Sequence, residues 1–139
     1  MSGGIVLEGK PFVRTEWVKD FYVCDEEGIR QFARSIRDNN PLHHDDGAAR
    51  AAKLLGIIAP GVMTIGFVSS AIAEEIPLSR VYRLELVFKE PVYAKSLVSV
   101  FCTVVRMRRI SADIAVTVKN GYRVLAEGSC VLALSPQGA

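Results

Sequence analysis

Within the hexapeptide Asp38-Asn39-Asn40-Pro41-Leu42-His43, a carboxylate and an imidazole stand on either side of a turn. An acid/base pair of this kind, holding one water between its members, is enough to add that water to a double bond. Fully extended chain would hold the two groups up to about 17 Å apart, so only a bend makes them converge. Asn40-Pro41 supplies the bend: Pro fixes its own φ, pushes Asn40 out of the helical region, and the Asn side chain can close a local turn. The same residues have a plainer reading. Asn-Asn-Pro is an ordinary helix terminator, and neighbouring histidines in a polar loop are often simply solvated.

The elements that would position the pair can be read from periodicity. Upstream, Ile29, Phe32, Ala33 and Ile36 recur at helical spacing, with Asp25, Glu26 and Glu27 at the start and Arg34 and Arg37 near the end, which predicts a helix over 25–36 that stops at the motif. A short strand is expected over 11–18, bounded by Gly9 and Asp20. Downstream, 46–55 has helix-forming composition with Gly56 as its stop, and Asp45 or Asp46 as N-cap. Pro60-Gly61 then opens a segment from Val62 to Ile76 that is apolar nearly all round, the pattern of a buried helix, ended by Pro77. Beyond it the period changes to two: strands are predicted over 81–88, 97–105 and 112–118, and a long last one from Tyr122 to Leu134, with Asn120-Gly121 as a hairpin signal. One buried helix followed by an antiparallel meander of four strands, with a further strand near the N-terminus, is an α+β architecture in which the sheet wraps the helix. One sheet covers only part of such a helix, so a homodimer is the natural completion.

Bulk properties narrow the class. A chain of 139 residues is expected to form a single domain with a sizeable core over 1–139. Its three cysteines, Cys24, Cys102 and Cys130, form no Cys-x-x-Cys pair, which argues against a disulfide framework or zinc site and for reduced thiols in a cytoplasmic protein. Net charge is +2 without a long basic run, so no nucleic-acid partner is implied; Arg106-Met107-Arg108-Arg109 reads as a solvated hairpin end or, alternatively, as a contact for an anionic ligand tail or acidic carrier protein. The first eight residues lack the pattern of a signal peptide. The uncharged run of 20 residues from Leu54 to Ala73 is interrupted by Pro60-Gly61 and diluted by Gly and Ser, so it reads as a buried soluble segment and no membrane partner is expected. His44, Asp45 and Asp46 beside His43 do not make a metal site, because adjacent side chains diverge and the chain has only two histidines. No cofactor is implied.

With these elements in order, the chain resembles the MaoC-like, R-specific enoyl-CoA hydratases, which have the hot-dog fold. The family motif Asp-x-Asn-Pro-x-His appears as Asp38, Asn40, Pro41 and His43; the step that opens the central helix appears as Ala59-Pro60-Gly61-Val62-Met63; and a Phe-x-x-Pro-Val element appears as Phe88, Pro91 and Val92. Three departures stand out: Arg37 where the family often has a small residue, Pro60 where it has His, and Lys95-Ser96 where Gly-Asp often follows Pro-Val. Pro60-Gly61-Val62 is closer to hydroxyacyl-carrier-protein dehydratases that carry a Glu inside the central helix, whereas here Glu74 and Glu75 sit at its far end.

The resemblance implies reversible hydration of trans-2-enoyl thioesters, on CoA or acyl carrier protein, to R-3-hydroxyacyl thioesters. Asp38 and His43 would be the acid/base pair. Gly61, at the free N–H end of the helix, would be the donor to the developing oxyanion, and Asn40 a substrate-binding or turn-orienting residue. A hot-dog thioesterase and a non-catalytic acyl-thioester-binding module are the alternatives. The first would want a carboxylate on or near the central helix, and the second has no use for an acid/base pair.

Overall fold

A computed structural model of the chain describes residues 4–6 and 12–134. A 15-residue helix, α3 (Gly61–Glu75), lies against a five-stranded antiparallel sheet. The elements that precede it are β1 (Gly4–Val6), β2 (Phe12–Arg14), β3 (Glu16–Tyr22), α1 (Glu26–Ser35), a 3-10 turn (Pro41–His43) and α2 (Asp46–Ala51). β4 (Arg80–Phe88), β5 (Leu97–Met107), β6 (Ser111–Asn120) and β7 (Arg123–Ala133) follow. The sheet order is β3-β5-β6-β7-β4, and β1 and β2 form a separate two-stranded sheet.

This order corrects the expected four-strand meander. β5, β6 and β7 do run as a meander, but β4 pairs with β7 at one edge and β3 with β5 at the other. The connection 89–96 therefore crosses three inter-strand spacings, roughly 14 Å, which its eight residues reach easily at up to about 3.4 Å each. The strand expected over 11–18 is broken by a bend at Thr15 and continues to Tyr22; residue 11 lies outside the described residues. Asp20 is no boundary, because it faces outward and accepts a bond from the Ser99 hydroxyl at 2.6 Å across the β3–β5 pair.

Alternation decides which side chains meet the helix. Val98, Val100 and Cys102 of β5, Ala112, Ile114, Val116 and Val118 of β6, and Cys130 and Leu132 of β7 are buried. They meet Met63, Val68, Ala71 and Ile72 of α3 in one core. β3 fastens the helix most specifically: Trp17 Nε1–H donates to the Ala71 carbonyl at 2.9 Å, Phe21 stacks on Phe67 with ring centroids 4.9 Å apart, and Lys19 pairs with Glu75 at 3.3 Å. The opposite face of α3 is not covered: Val62 and Ile65 are 52% and 37% exposed, so within one chain the helix is buried on one side rather than all round.

The β6–β7 hairpin falls at the expected place with a shifted loop. Asn120 pairs with Arg123, and the two-residue loop is Gly121-Tyr122, with Gly121 at φ 59. Positive φ at the first loop position matches the right-handed strand twist and favours glycine there. β7 approaches β4 so closely at Gly128 that a Cβ there would overlap the Glu85 carbonyl.

Candidate active site

α1 delivers the first acidic residue. Its N-cap Asp25 accepts from Gly28 N–H, Ile29 and Ala33 bury one face, and the helix ends in a Schellman arrangement: Arg37 N–H bonds Arg34 O at 3.1 Å and Asp38 N–H bonds Ala33 O at 2.8 Å. Arg37 takes the left-handed position, φ 59, where glycine is usual. The chain then bends as the Asn-Pro pair dictates. Asn40 N–H donates to Asp38 Oδ1 at 3.1 Å, the Asn40 side chain accepts from Leu42 N–H at 3.1 Å, and Pro41 opens the single 3-10 turn that carries His43.

That turn brings Asp38 and His43 together. His43 Nε2 lies 3.3 Å from Asp38 Oδ2; the His43 side chain is 8% exposed and that of Asp38 31%. His43 Nδ1 lies 2.7 Å from the Ile58 carbonyl, which can only accept, so Nδ1 carries a proton. With Nδ1 holding its proton, Nε2 is the ring atom that faces the Asp38 carboxyl oxygen. The arrangement is satisfied when one proton lies between them or when one water donates to both, and either makes an acid/base pair.

Ile58 is held in turn. Its N–H bonds Leu42 O at 3.0 Å and Ala59 N–H bonds Val92 O at 2.8 Å, tying the motif turn to the 89–96 connection. Between them opens a cleft of about 400 Å³, lined by His43, Ile58, Ala59, Gly61, Thr64 and the run from Phe88 to Val92. Gly61 is the first residue of α3, behind Pro60 and without a side-chain cap, so the helix N-terminus presents free N–H groups. A Cβ on Gly61 would stand 3.2 Å from the Phe88 ring, so the absence of a side chain keeps this approach open.

Of the residues singled out in the sequence, His43 and Gly61 line the cleft and Asp38 reaches it through His43, while Asn40 is exposed and its side-chain oxygen is engaged in the turn. Asp45 caps α2 through Gly47 N–H at 2.9 Å, and Asp46 pairs with Arg50 at 2.7 Å. Glu74 and Glu75 lie toward Lys19 at the far end of α3.

Three features were not foreseen. The Ile58 carbonyl fixes the His43 tautomer from 15 residues away. Thr64 lines the cleft and is 1% exposed, with a hydroxyl that finds no partner among the described residues. His44, read in the sequence only as diverging from His43, places Nε2 at 2.7 Å from the Asp38 carbonyl. The first two could have been sought in the rule that buried polar groups need partners, but not located without the fold.

The chain is similar to known proteins in sequence and in fold. The family model described as "MaoC like domain" matches residues 8–126. A UPF0336 protein of Clavibacter michiganensis is 30% identical over 108 residues, 71% of this chain and 72% of that protein. Another, of Saccharopolyspora erythraea, is 43% identical over 44 residues, which are 32% of this chain and span only 28% of that relative's length. The solved structure of the (R)-hydratase from A. caviae involved in PHA biosynthesis superposes with a TM-score of 0.79 at 22% identity, covering 88% of this chain and 96% of that one, and shows the hot-dog fold in common. The helix, its sheet and the matched span agree on one conclusion: this chain belongs to the MaoC-like domain family.

Proposed function

We propose that the protein reversibly hydrates trans-2-enoyl thioesters, carried on CoA or acyl carrier protein, to R-3-hydroxyacyl thioesters. The observation that carries this reading is the approach of His43 Nε2 to Asp38 Oδ2, 3.3 Å apart beside the cleft. A water that donates one proton to each leaves its oxygen lone pair free for C3. As the C3–O bond forms, the C2=C3 electron pair moves toward the thioester carbonyl, the pair takes a proton from the water, and a proton passes from the pair to C2, so that it ends as it began. The carbonyl oxygen, which gathers negative charge, would lie at the start of α3, where the Gly61 N–H and the helix dipole favour an anion. Thr64, on the next turn of the helix, adds to the same wall a hydroxyl that has no other partner among the described residues.

Incubation with crotonyl-CoA, following the enoyl chromophore and free thiol in parallel, separates this reading from the thioesterase. Loss of the chromophore without thiol release and an R product by chiral analysis are expected; an S product, or stoichiometric CoA, would sink it. Asp38→Asn and His43→Ala are each expected to lower turnover by about 10²-fold or more. The double variant should be little worse than either, since the two act as a unit.

The chain is further proposed to work as a homodimer. The uncovered face of α3 (Val62, Ile65, Gly66, Ser69) and the edge strand β4, with Val81 43%, Tyr82 80% and Val87 61% exposed, are apolar or small-residue surfaces of the kind a second copy covers. Sedimentation at low micromolar concentration should give twice the chain mass, and a monomer there would contradict it.

A further inference from the structure

The chain has two histidines, and both close on Asp38, one on its side chain and the other on its backbone. We propose that His44 is a positioning residue of the reaction, a strut that holds the Asp38 carboxylate at His43; the inference rests on the hydratase reading above.

Asp38 has four polar attachments. Its N–H bonds Ala33 O at 2.8 Å, Oδ1 accepts from Asn40 N–H at 3.1 Å, its carbonyl accepts from His44 Nε2–H at 2.7 Å, and only Oδ2 is left to face His43. The first bond belongs to the end of α1 and fixes where Asp38 begins. The carbonyl bond fixes the 38–39 peptide plane, one residue before the Asn40 N–H that holds Oδ1. Without that bond, the link between the left-handed Arg37 and Pro41 can rotate and carry the carboxylate with it. A shift near 1 Å in a reacting group costs up to about 10²-fold.

The strut is itself anchored. The His44 carbonyl accepts from Arg30 Nε at 2.9 Å, and Arg30 pairs with Glu27 at 3.5 Å, so the backbone of His44 is tied to α1 while its ring reaches back to Asp38, just past the end of that helix. His44 N–H bonds Pro41 O at 3.0 Å, which sets the residue at the close of the 3-10 turn. Because a carbonyl only accepts, the ring must carry its proton on Nε2, and a doubly protonated ring would donate there equally well. The hydrogen bond, not the charge of His44, is what the site uses.

Two variants separate the bond from the charge. His44→Leu removes both and keeps the bulk; His44→Gln removes the imidazole but keeps an N–H donor at similar reach. With crotonyl-CoA, His44→Leu is expected to lower kcat about 10-fold or more, with KM within about 2-fold of wild type. It should also move the limbs of the pH–rate profile, which report the Asp38/His43 pair. His44→Gln should recover most of both. Wild-type kcat and pH profile in His44→Leu, or equal damage in His44→Gln, would overturn the proposal. Should the wild type itself fail to hydrate crotonyl-CoA, the hydratase reading falls on its own. The strut is then judged by the ¹⁵N NMR titration of the His43 ring: displaced in His44→Leu and preserved in His44→Gln supports it, and unchanged in both refutes it.

Discussion

Thr64 has a buried hydroxyl with nothing among the described residues to bond, one helical turn behind Gly61. An unsatisfied buried hydroxyl costs about 1–3 kcal/mol, and valine fills nearly the same volume without that cost. Thr64→Val is therefore expected to raise unfolding stability by about 1 kcal/mol while lowering kcat/KM for an enoyl thioester. Paired urea melts and kinetics check it; a loss of stability would mean that the hydroxyl is satisfied in the folded chain. At this scale the sequence told most about what is local. Asp38, the Asn40-Pro41 bend and His43 lie within one turn, and their convergence follows from backbone rules. The Ile58 carbonyl and Thr64 come to the site through the fold of distant segments, and His44 through the pitch of a 3-10 turn that a spacing argument does not resolve.

Arg37 shows how an element ending constrains the site it serves. It occupies the C′ position of α1 at φ 59, a region that costs a residue with a Cβ roughly 1–2 kcal/mol. Arg37→Gly should relieve most of this, and the greater freedom of glycine in the unfolded chain takes part of the gain back. A net stabilisation of up to about 1 kcal/mol, a rise of a few degrees in Tm, is expected by calorimetry; no change would mean that contacts of the Arg37 side chain offset the strain. Periodicity located the helices and strands β4 to β7 to within a few residues, because a helical or alternating pattern survives in them, whereas the strand expected over 11–18 overlaps β3 only at its start. Ends were harder to read: α2 closes through Lys53 at φ 66, with Lys53 N–H on Arg50 O and Leu54 N–H on Ala49 O, rather than at Gly56. A left-handed lysine leaves no mark in composition.

At the scale of the whole molecule, the fold class was legible from one apolar helix and the period-two segments after it, but the strand order was not. Which edge β4 joins depends on where 89–96 crosses, and no local signal carries that. Among the described residues no helix is long and apolar enough to cross a membrane. The core also sets an alkaline limit. Burial, then the neighbouring Cys130, pushes the Cys102 thiol up to about 12, and burial raises Cys130 to about 11. In the unfolded chain both thiols ionise near pH 9, so above that pH the unfolded state binds fewer protons than the folded one, and stability falls as pH rises toward the folded values. The loss is about 1.4 kcal/mol per pH unit for each thiol at most, absent below about pH 8. Denaturant midpoints of the reduced protein at pH 8 and pH 10 should show it, with a shallower decline in Cys130→Ala.

Trp17 is the single tryptophan of the chain, 5% exposed, with its indole N–H on the Ala71 carbonyl of α3. The protein therefore carries a built-in optical gauge of whether the helix is seated on its sheet. Its emission reports that one contact without background, and α3 begins at the wall of the cleft. A red shift on loosening would mark the unseating of the element on which the cleft is built, measurable in real time and without a label.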